Sequence, residues 1–294
     1  MTQRFYMVDV FAERSYAGNQ LPVIVGAEEL SDETMQQFAA EMNFSETTFV
    51  NSVPEEDGGY RVRIFTPARE IAFTGHPILG TAWVIRHHLA TRPCTQVQLN
   101  IEVGPVSVTF ETSDDGREIV WFKAPAMTLG QTSSPKQLAA VLGLTAEDIS
   151  TETPIQVVSA GTSAMIVPLR SLEALRRSWL NLDAFRSLAN EGFPPLVYLF
   201  CKQTHLPHND LCVRFFFEAH GVREDPATGN GAAFLGAYLL EHQSLTDSEL
   251  NLRIEQGHGL RRPSLIMLRA QAKNGNHEVN VGGYVIPTVQ GELL

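Results

Sequence analysis

Two short stretches bring glycine and free backbone amides to what read as helix starts: Thr74-Gly75-His76 and Thr228-Gly229-Asn230-Gly231. The first turn of a helix carries partial positive charge and unpaired N–H groups, so it binds anions, carboxylates included. Taken singly, each stretch reads more plainly as a helix cap; two copies in one chain favour a site. His76 stands at the first, where a positive helix end would lower its pKa and favour the neutral donor–acceptor form. Asp225 precedes the second, in Arg223-Glu224-Asp225-Pro226-Ala227-Thr228. An aspartate in a turn before proline needs no further role to explain it. Glu46 lies in Asn43-Phe44-Ser45-Glu46-Thr47-Thr48-Phe49-Val50, at a strand or strand entrance. Desolvation there would raise a carboxyl pKa toward that of a useful acid/base, and a positioned general base contributes ~10²–10⁴ in rate. A solvent-facing glutamate fits the same spacing equally well.

Other chemistries find less support. His87-His88 and His205/His208 lack a carboxylate partner at metal-ligand spacing and read as surface residues. Cys94, Cys201 and Cys212 are odd in number and form no C-x-x-C, so a disulfide framework or zinc site is not expected. No Walker A and no G-x-S-x-G elbow occurs, and Gly229-x-Gly231 lacks the third glycine of a dinucleotide fingerprint.

The elements that must position these residues repeat. Val62-Arg63-Ile64-Phe65 is matched by Val213-Arg214-Phe215-Phe216, 151 residues later. Arg69-Glu70 followed by Thr74-Gly75 is matched by Arg223-Glu224 followed by Thr228-Gly229, 154 residues later. Upstream, Ala17-Gly18 before Val23-Ile24-Val25 is matched by Ala160-Gly161 before Ile166-Val167. Three blocks in one order predict a duplicated domain. At the 154-residue offset the counterpart of Asp225 is Ile71, so the carboxylate departs from the repeat.

In each copy the Val-Arg-x-Phe run reads as a strand, and Thr-Gly opens a helix. The first helix carries Pro77 where a first-turn proline is tolerated. Both helices, through Leu89 and through Leu240, are apolar on nearly every face and so are predicted to be buried all round. Strands are predicted over residues 5–10, 47–50, 97–101, 106–110 and 119–122. In the second half they are predicted over 155–158, 196–200, 211–217, 265–268 and 279–281. The expected class is α+β: two halves, residues 1–128 and 129–294, each a mostly antiparallel barrel-like sheet around a central helix. The last strand is allowed to return to the first half, and the active site is expected in the cleft between the halves.

At 294 residues and 44% hydrophobic content the chain can bury a large core. A net charge of −11 argues against a nucleic-acid binder. No signal-peptide pattern and no membrane-length apolar run appear, so a cytoplasmic protein is expected.

Asp9-Val10-Phe11 with Gly18-Asn19, the Asn43–Val50 stretch, Arg63-Ile64-Phe65-Thr66-Pro67, Gly75-His76-Pro77 and Glu224-Asp225-Pro226-Ala227-Thr228-Gly229 together resemble the phenazine-biosynthesis PhzF-like isomerase family. The resemblance implies a diaminopimelate epimerase-like fold. It implies an isomerase, needing no cofactor and no metal, that moves a proton on a small cyclic amino/carboxylate substrate such as a dihydro-hydroxyanthranilate. By motif, Glu46 would be the acid/base, and His76 and Asp225 would bind and orient the substrate. Asn19, Thr74, Gly75, Thr228, Gly229, Asn230 and Gly231 would line its site. A homodimer is implied by family habit. Where the family often has serine, this chain has Asn230, which still donates and accepts hydrogen bonds but is larger. Two-thiol epimerases and proline-type racemases carry cysteine before each glycine. Here those positions are Thr74 and Thr228, and a hydroxyl is too weak an acid to replace the thiols. A non-catalytic small-molecule binder on the same fold is the remaining alternative.

Overall fold

The computed structural model is a mixed fold of many strands and few helices. The structure describes residues 3–219, 222–242, 249–273 and 276–293. The chain divides into two units, Met1–Lys123 with Gly282–Leu294, and Ala124–Val281. Unit 1 contains β1 (Arg4–Val10), β2 (Asn19–Val25), α1 (Asp32–Met42), β3 (Thr47–Val50), β4 (Tyr60–Phe65), β5 (Glu70–Ile71), α2 (Gly75–Val84), β6 (Gln96–Ile101), β7 (Gly104–Thr112) and β8 (Glu118–Lys123). Unit 2 contains β9 (Thr128–Ser133), α3 (Pro135–Leu142), β10 (Ile155–Ala160), β11 (Thr162–Pro168), α4 (Leu172–Arg177), α5 (Leu182–Asn190), β12 (Leu196–Cys201), β13 (Leu211–Ala219), β14 (Val222–Asp225), α6 (Gly229–Glu241), β15 (Glu249–Gln256), β16 (Ser264–Lys273) and all but the last two residues of β17 (Asn276–Gly283). The final strand, β18 (Val285–Glu292), pairs antiparallel with β1 and belongs with unit 1.

The pairings themselves repeat. In unit 1, β1–β2 is antiparallel, β2–β3 parallel, β3–β4 antiparallel, β4–β6 parallel and β6–β7 antiparallel. In unit 2, β10–β11, β11–β12, β12–β13, β13–β15 and β15–β16 follow the same series. A short strand hairpins onto the middle of each: β5 onto β4, with Ile64 opposite Ile71, and β14 onto β13, with Phe215 opposite Asp225. Asp225 and Ile71 therefore occupy the same register position, and only one copy places a carboxylate there.

Each sheet wraps a helix. Every residue of α2 except Trp83 is buried, and α2 touches β1, β2, β3, β6, β7, β8 and β18. In α6 every residue from Gly231 to Leu239 is buried, against β10, β11, β15 and β16. Such helices have no polar face, as the sequence requires. Among the described residues, no helix is long and apolar enough to cross a membrane.

An Arg–Glu pair pins each short hairpin. Arg63 donates from Nε and Nη2 to the two Glu70 carboxylate oxygens at 2.7 and 2.6 Å. Arg214 does the same to Glu224 at 2.8 and 2.7 Å. Bidentate guanidinium–carboxylate bonds are among the stronger polar contacts and fix orientation as well as distance. They hold the strand ends from which the chain enters α2 and α6.

Candidate active site

In unit 1 the site is built on the α1–β3 connection and the first turn of α2. Asn43 ends α1 in the left-handed region at φ 53°, its N–H donating to the Ala39 carbonyl at 3.2 Å. Asparagine tolerates that conformation better than most residues. The turn is anchored from below: Met35 and Ala39 of α1 pack with Ile24, Phe49 and Phe65, and the Phe49 and Phe65 rings meet edge-on at 5.3 Å. Glu46 thus stands immediately before β3, with its side chain 15% exposed.

Its Oε2 lies 3.5 Å from Nε2 of His76, the second residue of α2. His76 is 3% exposed, and this Nε2 makes no hydrogen bond among the described residues. On the other side of the ring, Asn19 Nδ2 lies 3.2 Å from Nδ1. Asn19, the first residue of β2, is itself buried. Burial pushes the His76 pKa down to about 3, and a hydrogen bond with the Gln20 backbone pulls weakly the other way. The imidazole is therefore neutral near pH 7. The sequence pointed to that direction through the helix end; the cause is loss of water around the ring. Thr74 enters α2 extended, at φ −159°, and its hydroxyl makes no cap hydrogen bond. The amides of Gly75 and His76 have no intrahelical acceptor, and Pro77 has no amide to satisfy.

In unit 2, Asp225 ends β14 and is 7% exposed. Thr228 donates its hydroxyl proton to Asp225 Oδ2 at 2.6 Å. Gln256, at the end of β15 and fully buried, ties the turn together. Its Nε2 donates to the Asp225 carbonyl at 2.8 Å and to Thr228 Oγ1 at 3.0 Å, and its Oε1 accepts from the Thr228 N–H at 3.1 Å. The Thr228 hydroxyl donates to the Asp225 carboxylate and accepts from Gln256, and it makes no cap bond to the helix. Gly229 is buried and Asn230 half-buried at the start of α6. Gly231 allows α6 to rest on Tyr198: a Cβ there would fall 2.4 Å from the tyrosine ring.

Within unit 1 the structure brings together Glu46, His76, Asn19 and the Thr74–Gly75 helix entry. Within unit 2 it brings together Asp225 and Thr228, with Gly229, Asn230 and Gly231 following in the first turn. Sequence reasoning missed Gln256, whose only signal is that it falls where the alternation of Leu250, Leu252 and Ile254 calls for an apolar residue. It also missed Glu255, which accepts from His205 Nδ1 at 2.9 Å. His205 therefore does have a carboxylate partner, supplied from 50 residues away. His87 likewise meets Glu118 at 3.0 Å. All three cysteines are free thiols, and burial raises the pKa of Cys201 to about 11.

The fold is that of the epimerase and racemase group. A hydroxyproline epimerase of Agrobacterium vitis superposes with a TM-score of 0.64 at 11% identity, covering 99% of this chain and 92% of that one, a likeness of fold alone. The family of phenazine biosynthesis-like proteins matches residues 8–291. A PhzF-family phenazine biosynthesis protein of Bacillus anthracis superposes with a TM-score of 0.91 at 25% identity, over 100% of this chain and 99% of that one. The trans-2,3-dihydro-3-hydroxyanthranilate isomerase of Pseudomonas aeruginosa is 35% identical over 268 residues, 91% of this chain and 90% of the relative. The chain belongs to the phenazine biosynthesis-like, or PhzF-like, family, and it is an isomerase of that type.

Proposed function

We propose that the protein moves a proton between carbons of a small cyclic substrate bearing amino and carboxylate groups, of the trans-2,3-dihydro-3-hydroxyanthranilate class, with Glu46 as the acid/base. The observation that carries this reading is the placement of the Glu46 carboxylate 3.5 Å from a buried histidine that stays uncharged. Glu46, as carboxylate, takes a proton from a ring carbon and becomes a carboxylic acid. The electron pair of the broken C–H bond shifts through the unsaturated ring. The same acid then delivers the proton to another carbon, so atoms and charge balance with no redox partner. His76 cannot drain the proton from Glu46, because its own pKa of about 3 lies below that of an ordinary carboxyl group. Its role is to orient the carboxylate and the substrate. Asp225, braced by Thr228 and Gln256, is assigned the orientation of the substrate's polar groups.

The similarity to the Pseudomonas aeruginosa isomerase supports the choice of substrate class. The test is turnover of trans-2,3-dihydro-3-hydroxyanthranilate by the purified protein. Wild type should consume it, and Asp225→Asn should raise KM more than it lowers kcat. No turnover by wild type rejects the substrate class; an Asp225→Asn enzyme with unchanged KM rejects the role of Asp225.

A further inference from the structure

Away from the residues given catalytic roles, unit 2 gathers metal-ligand side chains from two separate segments. His205 lies on the β12–β13 connection, Glu255 near the end of β15, and His258 on the tight turn that follows. The nearest donor atoms of these three residues all lie within 4.8 Å of one another. Glu255 is 2% exposed, and its Oε2 lies 2.9 Å from His205 Nδ1 and 3.7 Å from His258 Nε2. Cys212 of β13 stands beside this group, its Sγ 3.7 Å from His205 Nδ1. A cavity of about 410 Å³ opens onto His205, Cys212 and His258.

We propose that His205, His258, Glu255 and Cys212 form a binding site for a zinc-class divalent cation. The separations favour it. At the bond lengths zinc makes to nitrogen, oxygen and sulfur, tetrahedral ligands stand roughly 3.3 Å apart for N/O pairs and roughly 3.6 Å for N/S pairs. The three observed distances, 2.9, 3.7 and 3.7 Å, straddle those values. Donor chemistry narrows the metal. Two imidazoles, one carboxylate and one thiol suit zinc and its neighbours, and do not suit calcium or magnesium, which take all-oxygen shells. Arg214 also lines the cavity, but Glu224 neutralises it.

The His205 and His258 rings stack at 3.8 Å and 13°. Parallel stacked rings cannot both aim their in-plane lone pairs at one ion, so loading turns His258 out of the stack. Glycines on both sides, Gly257 and Gly259, and 31% side-chain exposure leave it room to turn. Coordination replaces the thiol proton of Cys212, which leaves to solvent. The ion would tie the β12–β13 connection, β13, β15 and the following turn to one point, beside the Gln256 that braces Asp225. This proposal does not rest on the isomerase reading.

The test uses the whole protein, stripped by chelator, titrated with zinc sulfate by calorimetry and with cobalt(II) chloride by visible absorption. One zinc per chain is expected, with a Kd of roughly 1 μM or tighter. At a hundredfold excess over Kd, the melting temperature should rise by roughly 5–10 °C. Cobalt should give a tetrahedral spectrum with a thiolate charge-transfer band. The C–H resonances of His205 and His258 should lose their mutual ring-current shift. His205→Asn and His258→Asn should each weaken zinc binding by about 100-fold or more, while the exposed His208→Asn leaves it unchanged. Both variants alter partly exposed rings and should fold; circular dichroism checks this. Glu255 is left intact because it also accepts from the His205 and Leu206 amides and from Asn209. No saturable zinc uptake by wild type overturns the site. Uptake that survives in both histidine variants places the ion elsewhere and also overturns it, and a cobalt complex without the thiolate band overturns the four-ligand site.

Discussion

Keeping His76 uncharged should make unit 1 lose stability as the solution is acidified, by an amount the structure allows to be worked out. The folded-state pKa is about 3, against 6.5 for an ordinary histidine. A pKa depressed on folding means that the unfolded chain binds the proton and the native chain does not. Stability is therefore fully present above pH 6.5 and is lost as pH falls from there toward 3. At pH 5 the native ring is still neutral, while the unfolded ring is almost wholly protonated. The loss is about 1.5 pH units at about 1.36 kcal/mol each, or ~2 kcal/mol. That corresponds to a fall in melting temperature of roughly 4–8 °C. Because other groups titrate in the same window, the informative quantity is the difference between wild type and His76→Asn, which cannot take up a proton. Denaturant melts at pH 7.5, 6 and 5 should show His76→Asn less stable at pH 7.5, with the gap shrinking by ~2 kcal/mol at pH 5. Parallel profiles would refute the reasoning, since they would mean that His76 titrates alike in both states.

Three other perturbations separate the elements of the account. Arg214→Ala should cost about 3 kcal/mol, because it leaves Glu224 unpaired where the pair is 16% and 10% exposed. The equivalent Arg63→Ala, where the pair is 23% and 34% exposed, should cost about 1 kcal/mol; urea melts compare the two. Gly231→Ala pushes a methyl group against the Tyr198 ring at 2.4 Å and should cost roughly 1–3 kcal/mol, read as a lower melting temperature. Thr228→Val removes both the proton that Asp225 Oδ2 accepts and the oxygen that accepts from Gln256, so kinetics should show a raised KM and denaturant melts a loss of roughly 1–3 kcal/mol.

What could be read from the sequence was the repeating part. The Val-Arg-x-Phe strands and the two apolar helices announce themselves because their residues must be buried wherever the chain runs, and β4, β13, α2 and α6 lie where those runs are. The offset of Asp225 onto Ile71 is reproduced in the strand register. The short helices α1, α3, α4 and α5 went unread, since each buries only one stripe of a few residues, such as Met35 and Ala39 of α1. Strand β9, Thr128–Ser133, likewise lacks an apolar run and spans the expected division at residues 128 and 129. The polar partnerships were illegible for a different reason. Gln256 reaches Thr228 across 28 residues and Glu255 reaches His205 across 50, and no local pattern encodes such a distance. For His76 the direction of the pKa was legible but not its cause, because burial at the centre of a wrapped sheet is a tertiary property.

The most direct test of the central claim is NMR in D₂O with trans-2,3-dihydro-3-hydroxyanthranilate, comparing wild type with Glu46→Gln. The amide keeps the shape of the side chain but can neither take nor return the proton. If Glu46 carries the proton, wild type incorporates solvent deuterium at a ring carbon as substrate is converted, and Glu46→Gln binds the substrate without conversion or exchange. Conversion or exchange by Glu46→Gln at the wild-type rate would contradict the account.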